Sequence, residues 1–191
     1  MFRQTILASL AGGVIVFALS AVQHMVLRGV EPRPLPAQSS LLPALRASIP
    51  QSGFYFFPGR GISHNMSKEE RDAAMAEHAV AFKEGPSGVI VFRTGGQEFQ
   101  FGRRLGIQFA LSIFAALVAA MILALNTKAG GGSSYALRVG VVALLGVFAF
   151  VYLEPQYWNW YGFPGAYTCA RTLAGVVGWT IAGLAMAAII R

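Results

Sequence analysis

Four long apolar runs dominate this chain: residues 5–27, 105–125, 139–153 and 173–190. An α-helix rises about 1.5 Å per residue, so about 20 apolar residues cross a hydrocarbon core about 30 Å thick. Each run reaches or approaches that length. Within lipid a lone segment must satisfy its backbone hydrogen bonds internally, so the runs predict four transmembrane helices. Composition agrees: 55% of the 191 residues are hydrophobic and 12% charged, where soluble domains carry about 25% charge. Mean hydropathy is +0.55. The expected fold is an all-α membrane protein with a small extracytoplasmic α+β insert between helices 1 and 2.

The net charge of +7 is dispersed rather than gathered in a basic block, which favours phospholipid headgroups over nucleic acid as the acidic partner. The single cysteine, Cys169, excludes an internal disulfide and a cysteine-based metal cluster. Residues 1–27 form the first helix. Arg3 and Ala18-Leu19-Ser20 also fit a signal peptide, but a secretory apolar region is usually about 7–15 residues, and this one continues to Leu27, so a retained anchor is expected.

The insert, residues 28–104, divides into three parts. Pro32, Pro34, Pro36, Pro43 and Pro50 predict an extended or irregular stalk. Ser67 followed by Glu70 forms a capping box, opening a helix over about residues 68–83 that Gly85-Pro86 stops. Residues 88–93 and 97–101 read as a hairpin turning at Thr94-Gly95-Gly96. The insert is too small to hold much core. Helices 2–4 then occupy about 105–125, 139–153 and 173–190, with a flexible Gly/Ser connection at 130–134 and an aromatic loop from Glu154 to Pro164. Pro155 marks the end of the third helix.

With four spans, the insert and the aromatic loop share one side and both termini the other. Arg3, Lys128, Arg138 and Arg191 on the terminal side place the termini in the cytoplasm, since long loops largely escape the positive-inside rule. Arg28, Arg103 and Arg104 pull the other way.

Polar groups within a membrane are costly and mark function. Gln23, His24, Gln108, Glu154 and Arg171 all fall near one surface, while the bilayer centre holds only Ser and Thr. The candidate ligand or interaction residues are His24, Gln108, Glu154, Tyr157, Trp158, Trp160, Tyr161 and Arg171. Glu154 and Arg171 can pair across the base of the aromatic loop, either as a structural clasp or as part of a polar pocket with His24. His24, His64 and His78 have no metal-site spacing, and no metal, cofactor or catalytic constellation is expected. Small residues at four-residue spacing, Ser112-Ala116-Ala120-Ala124 and Ala170-Ala174-Gly178-Ala182, predict close packing inside the bundle.

The segments SGFYFFPG, KEGPSGVIVFR and YWNWYGFP, in that order, resemble those of a group of uncharacterised bacterial four-span inner-membrane proteins. The resemblance covers most of the chain and implies a bacterial inner-membrane setting, with no catalytic residue attached. The expected role is a non-enzymatic interaction or accessory protein whose aromatic-rich face meets a membrane protein partner or a second copy of the chain. The alternative is a small membrane enzyme or a lipid- or quinone-binding protein using Glu154, Arg171 and His24. A transporter ranks third, for want of ionisable groups at mid-membrane.

Overall fold

The computed structural model describes residues 1–27, 29–96, 98–129 and 134–191, with backbone alone at 128 and 129. Arg28, the first residue of the predicted second strand (Gln97) and all of the Gly/Ser connection but Ser134 lie outside these. The chain is 72% helical, with four helices long and apolar enough to cross a membrane and a small two-stranded sheet. It divides into two compact units, Met1–Pro32 with Phe99–Arg191, and Arg33–Glu98.

The first unit is built from α1 (Phe2–Val26), α4 (Phe101–Ala129), α5 (Tyr135–Tyr161) and α6 (Gly165–Ile189); α2 and α3 belong to the second. α1 packs between α4 and α6, α6 packs on α5, and α4 and α5 touch only slightly. At most 33% of any span's apolar window is buried within the chain. Phe114, Leu125, Leu144, Phe148 and Leu173 are all well exposed. Apolar surface on this scale exceeds what soluble monomers tolerate and suggests a multi-pass membrane protein.

Close approach rests on small side chains. Ser112, Ala116, Ala120 and Ala124 are buried, as are Gly178 and Ala182 of the α6 row. A Cβ at Gly13 would lie 2.7 Å from the Ile113 Cα, so α1 crosses α4 at near backbone contact. Between α5 and α6 large side chains seat on glycines in both directions: Trp179 on Gly146, Phe150 on Gly175 and Val142 on Gly183. The buried cluster of Ala8, Leu123, Val142, Met186 and Ile190 lies at the end carrying the termini. Toward the other end, α4 buries nothing before Ser112 and α5 nothing between Gly146 and Glu154. The bundle is closed at one end and parted at the other.

The spans run longer than the sequence expectation, and three of the shifted boundaries bear on the site. α4 begins at Phe101 and carries Arg103 and Arg104 in its first turn. α6 begins at Gly165, directly after Pro164. α5 runs through Pro155 to Tyr161, so the aromatic stretch is helix rather than loop. Pro155 leaves the Val151 carbonyl without its helical donor. Beside it, the Gln156 side chain donates to the Tyr152 carbonyl at 3.0 Å. The true stop is Gly162 in the left-handed region (φ 70°), with Phe163 N–H donating to the Tyr157 carbonyl and the two rings stacked 5.4 Å apart. Gly162 N–H also donates to the Trp158 carbonyl at 3.2 Å, the bond of a left-handed glycine ending.

In the second unit, the stalk contains a helix, α2 (Gln38–Ser48), with Pro43 inside it; leucines at 41, 42 and 45 share one side. α3 (Lys68–Glu84) opens with the capping box, Glu70 N–H to Ser67 Oγ at 3.2 Å and Ser67 N–H to Glu70 Oε2 at 2.7 Å. The predicted 88–101 hairpin does not form. β2 (Gly88–Phe92) pairs instead with β1 (Gly53–Phe57), antiparallel, across the whole of α3. The reason lies in the cross-strand pairs. Phe54 faces Val91, Tyr55 faces Ile90 and Phe56 faces Val89, aromatic on β-branched, whereas QEFQF offers β2 mainly polar side chains. Thr94 N–H donates to Ser52 Oγ at 3.1 Å and closes the ribbon's end. No described residue of this unit is fully buried.

Candidate functional site

The parted end of the helical unit gathers polar side chains from all four helices. Each lies one and a half to two turns from its helix end, except those of α1, whose last turn holds Gln23 and His24. α4 contributes Gln108, α5 Glu154 and α6 Arg171. Arg171 Nη2 donates to Glu154 Oε1 at 3.2 Å, with the Glu154 side chain 8% exposed and that of Arg171 33%. Only one nitrogen of the fork is engaged. Arg171 Nε is buried with no acceptor, and the hydroxyls of Thr168 and Thr172 on the same side of α6 are also buried without a partner.

His24 does not join this pair. After α1 the chain folds back, with Val30 and Glu31 N–H groups donating to the Leu27 carbonyl. That turn brings Glu31 Oε1 within 2.7 Å of His24 Nδ1. Glu31 is the only acid before residue 69, a sequence signal that it is the available counter-charge for the end of α1.

A cavity of about 350 Å³ lies among these groups. Gln23, His24, Gln108 and Arg171 form its polar lining, and Leu19, Phe150 and Trp179 form apolar walls. Gly178 leaves the α6 backbone open to it, whereas the Phe150 ring covers Gly175. A second cavity of about 260 Å³ shares Gln23, His24 and Arg171 and reaches Glu31 and Tyr167. An apolar groove of about 170 Å³ between α1 and α6 shares Leu19, Gln23 and Gly178.

The structure thus brings His24, Gln108 and Arg171 to one cavity, with Glu154 holding Arg171 from behind. Tyr157, Trp158, Trp160 and Tyr161 stand on the last turns of α5, away from that lining. Trp158 and Trp160 are 55% and 62% exposed, and Tyr157 stacks with Phe163. Trp179, Phe150 and Gly175 were missed as site residues because within apolar runs they read as packing. Among the described residues no group of three His, Cys, Asp or Glu side chains could hold a metal ion. Comparison with family models, curated proteins and solved structures found no match to this chain.

Proposed function

We propose that this chain is a multi-pass bacterial inner-membrane protein that binds an amphiphilic small molecule, a lipid or quinone, in the interfacial cavity of its helical unit. The observation that carries the reading is the convergence of His24, Gln108 and Arg171 on one cavity with apolar walls. A cleft with apolar walls and a few convergent polar groups is the general form of a small-molecule site. The apolar groove along α1 and α6 suits the tail of such a molecule. The polar ring lies near headgroup depth, since 25–29-residue helices overshoot a core spanned by about 20 residues. In this reading the termini are cytoplasmic and residues 33–98 extracytoplasmic, supported by Arg3, Arg138 and Arg191 on the terminal side.

The test is retention. Wild type and Gly178→Leu, whose side chain fills space shared by the cavity and the groove, are purified in mild detergent and their bound small molecules identified by mass spectrometry. A stoichiometric amphiphile is expected on wild type and lost from the variant at equal thermal stability. Identical, bulk-like lipid on both proteins refutes the reading.

A second reading is an accessory protein whose aromatic surface meets a protein partner. It is favoured by Phe54 and Val91, paired on one face of the ribbon yet 57% and 71% exposed. Photo-crosslinking in cells from position 54 tests it, and recovery of uncrosslinked monomer alone counts against it.

A further inference from the structure

α2 (Gln38–Ser48) has almost nothing to hold it. All of its residues are exposed except Leu45, which is half-buried, and no other element packs closely along it. Local interactions do not make up the difference. Ala37 enters the helix from the left-handed region (φ 50°), where an alanine is strained, and no side chain caps the first turn. Pro43 leaves the Ser39 carbonyl without its helical donor. At 11 residues α2 is also shorter than the about 12–15 at which even a good isolated helix is marginal in water.

α2 is nonetheless the most strongly amphipathic of the six described helices. At about 100° per residue, Leu41, Leu42 and Leu45 fall in one arc, which Ile49 continues just past the helix, while Ser40, Pro43 and Ala47 lie opposite. We infer that α2 lies flat on the bilayer, its leucine face sunk among the headgroups and upper acyl chains of anionic phospholipid.

Length, reach and charge select that occupant. Eleven residues with one apolar face are too short to span and have the form of an interfacial helix. The turn after α1 keeps Pro32 with the helical unit, and residues 33–37 alone link it to α2. A fully extended chain reaches about 3.3–3.6 Å per residue, so covalent geometry holds the start of α2 within about 20 Å of Pro32. Between Glu31 and Glu69 the sequence has Arg33, Arg46, Arg60 and Lys68 and no acid. Neither Arg33 nor Arg46 is in an ion pair among the described residues. Arg46 borders the leucine arc next to Leu42, where its stem can follow lipid while the guanidinium meets phosphate. A second copy of the chain would cover the leucines but bring more unpaired arginine, with no acid on α2 to receive it. The contact is independent of any ligand in the cavity.

The experiment uses the full chain in a Cys169→Ser background, with a nitroxide on one introduced cysteine at a time. Leu41→Cys and Leu45→Cys sample the stripe, and Ser40→Cys and Ala47→Cys the opposite side. Each is reconstituted in vesicles of phosphatidylcholine, pure or mixed with phosphatidylglycerol. Power-saturation electron paramagnetic resonance reads collisions with oxygen, which concentrates in lipid, and with a nickel chelate, which stays in water. In mixed vesicles the stripe positions are expected to meet oxygen and exclude nickel, and the opposite positions the reverse. Arg46→Gln should lower the ratio of surface-bound to free label at position 45 about fivefold in mixed vesicles, the weight of one basic residue at an anionic surface. It should change nothing in pure phosphatidylcholine. Nickel access at all four positions overturns the inference, and protection of the stripe from both reagents overturns it in favour of a protein cover. The same oxygen pattern in both vesicle types, unaltered by Arg46→Gln, overturns the anionic-lipid part and supports the apolar contact alone.

Discussion

The sharpest physical test of the bundle is a single methyl group at Gly13. An alanine Cβ there would stand 2.7 Å from the Ile113 Cα and 3.0 Å from its backbone nitrogen. Backbone cannot rotate aside, so α1 and α4 must separate, and overpacking of this kind costs about 1–3 kcal/mol. Replacing glycine by alanine within a helix also contributes about 1 kcal/mol of propensity in the opposite direction. Gly106→Ala isolates the steric part, because nothing lies within 4 Å of a Cβ there and only the propensity gain remains. The difference between the two variants should therefore be about 1–3 kcal/mol, with Gly13→Ala the less stable. Gly12→Ala should fall between them, since the atom it meets first, at 2.6 Å, is the flexible Met186 sulfur. Reversible unfolding in mixed micelles, followed by circular dichroism, measures all three. Equal stability of Gly13→Ala and Gly106→Ala would refute near-backbone contact between α1 and α4.

Two further outcomes are expected. Glu154→Gln should destabilise the helical unit by about 1–3 kcal/mol, less than a fully buried pair loses because Arg171 keeps a third of its exposure. Adding Arg171→Gln should recover part of that loss, a coupling visible in a double-mutant cycle of unfolding energies; strict additivity would mean the pair does not interact. In a Cys169→Ser background, Phe54→Cys with Val91→Cys should form a disulfide on mild oxidation, since the two face each other across the strands. Efficient linkage of Val91→Cys to Phe99→Cys instead would favour the local hairpin over the observed pairing.

The existence of the four long helices was legible in the apolar runs, but their ends were not. Hydropathy reads how much of a helix is apolar, not how far it is hydrogen-bonded, so α4 carries Gly102-Arg103-Arg104 beyond its apolar run. At α5 two stop signals competed. Pro155 forbids one backbone bond, while Gly162 followed by Phe163 completes a hydrogen-bonded ending, and the second fixed the boundary. The capping box of α3 was readable because it is wholly local. Strand pairing was not, because β1 and β2 are separated by a helix and their affinity lies in side chains 35 positions apart, as in Tyr55 and Ile90. The site followed the same rule. Polar residues at span ends stood out singly, whereas the Glu31 contact to His24 depends on a reversal after Leu27 that proline counting had assigned to a stalk.

The buried cluster around Leu123, Val142 and Met186 sits at the opposite end of the bundle from Gln23, Gln108 and Arg171. Most of the buried packing thus lies apart from the polar lining, with Val16 and Trp179 shared between them. Substitutions at Gln23 or Gln108 touch few of the contacts that keep the chain folded. A scaffold partitioned this way is evolvable: selection can explore new headgroup chemistries at one end while the other keeps the fold above its stability threshold.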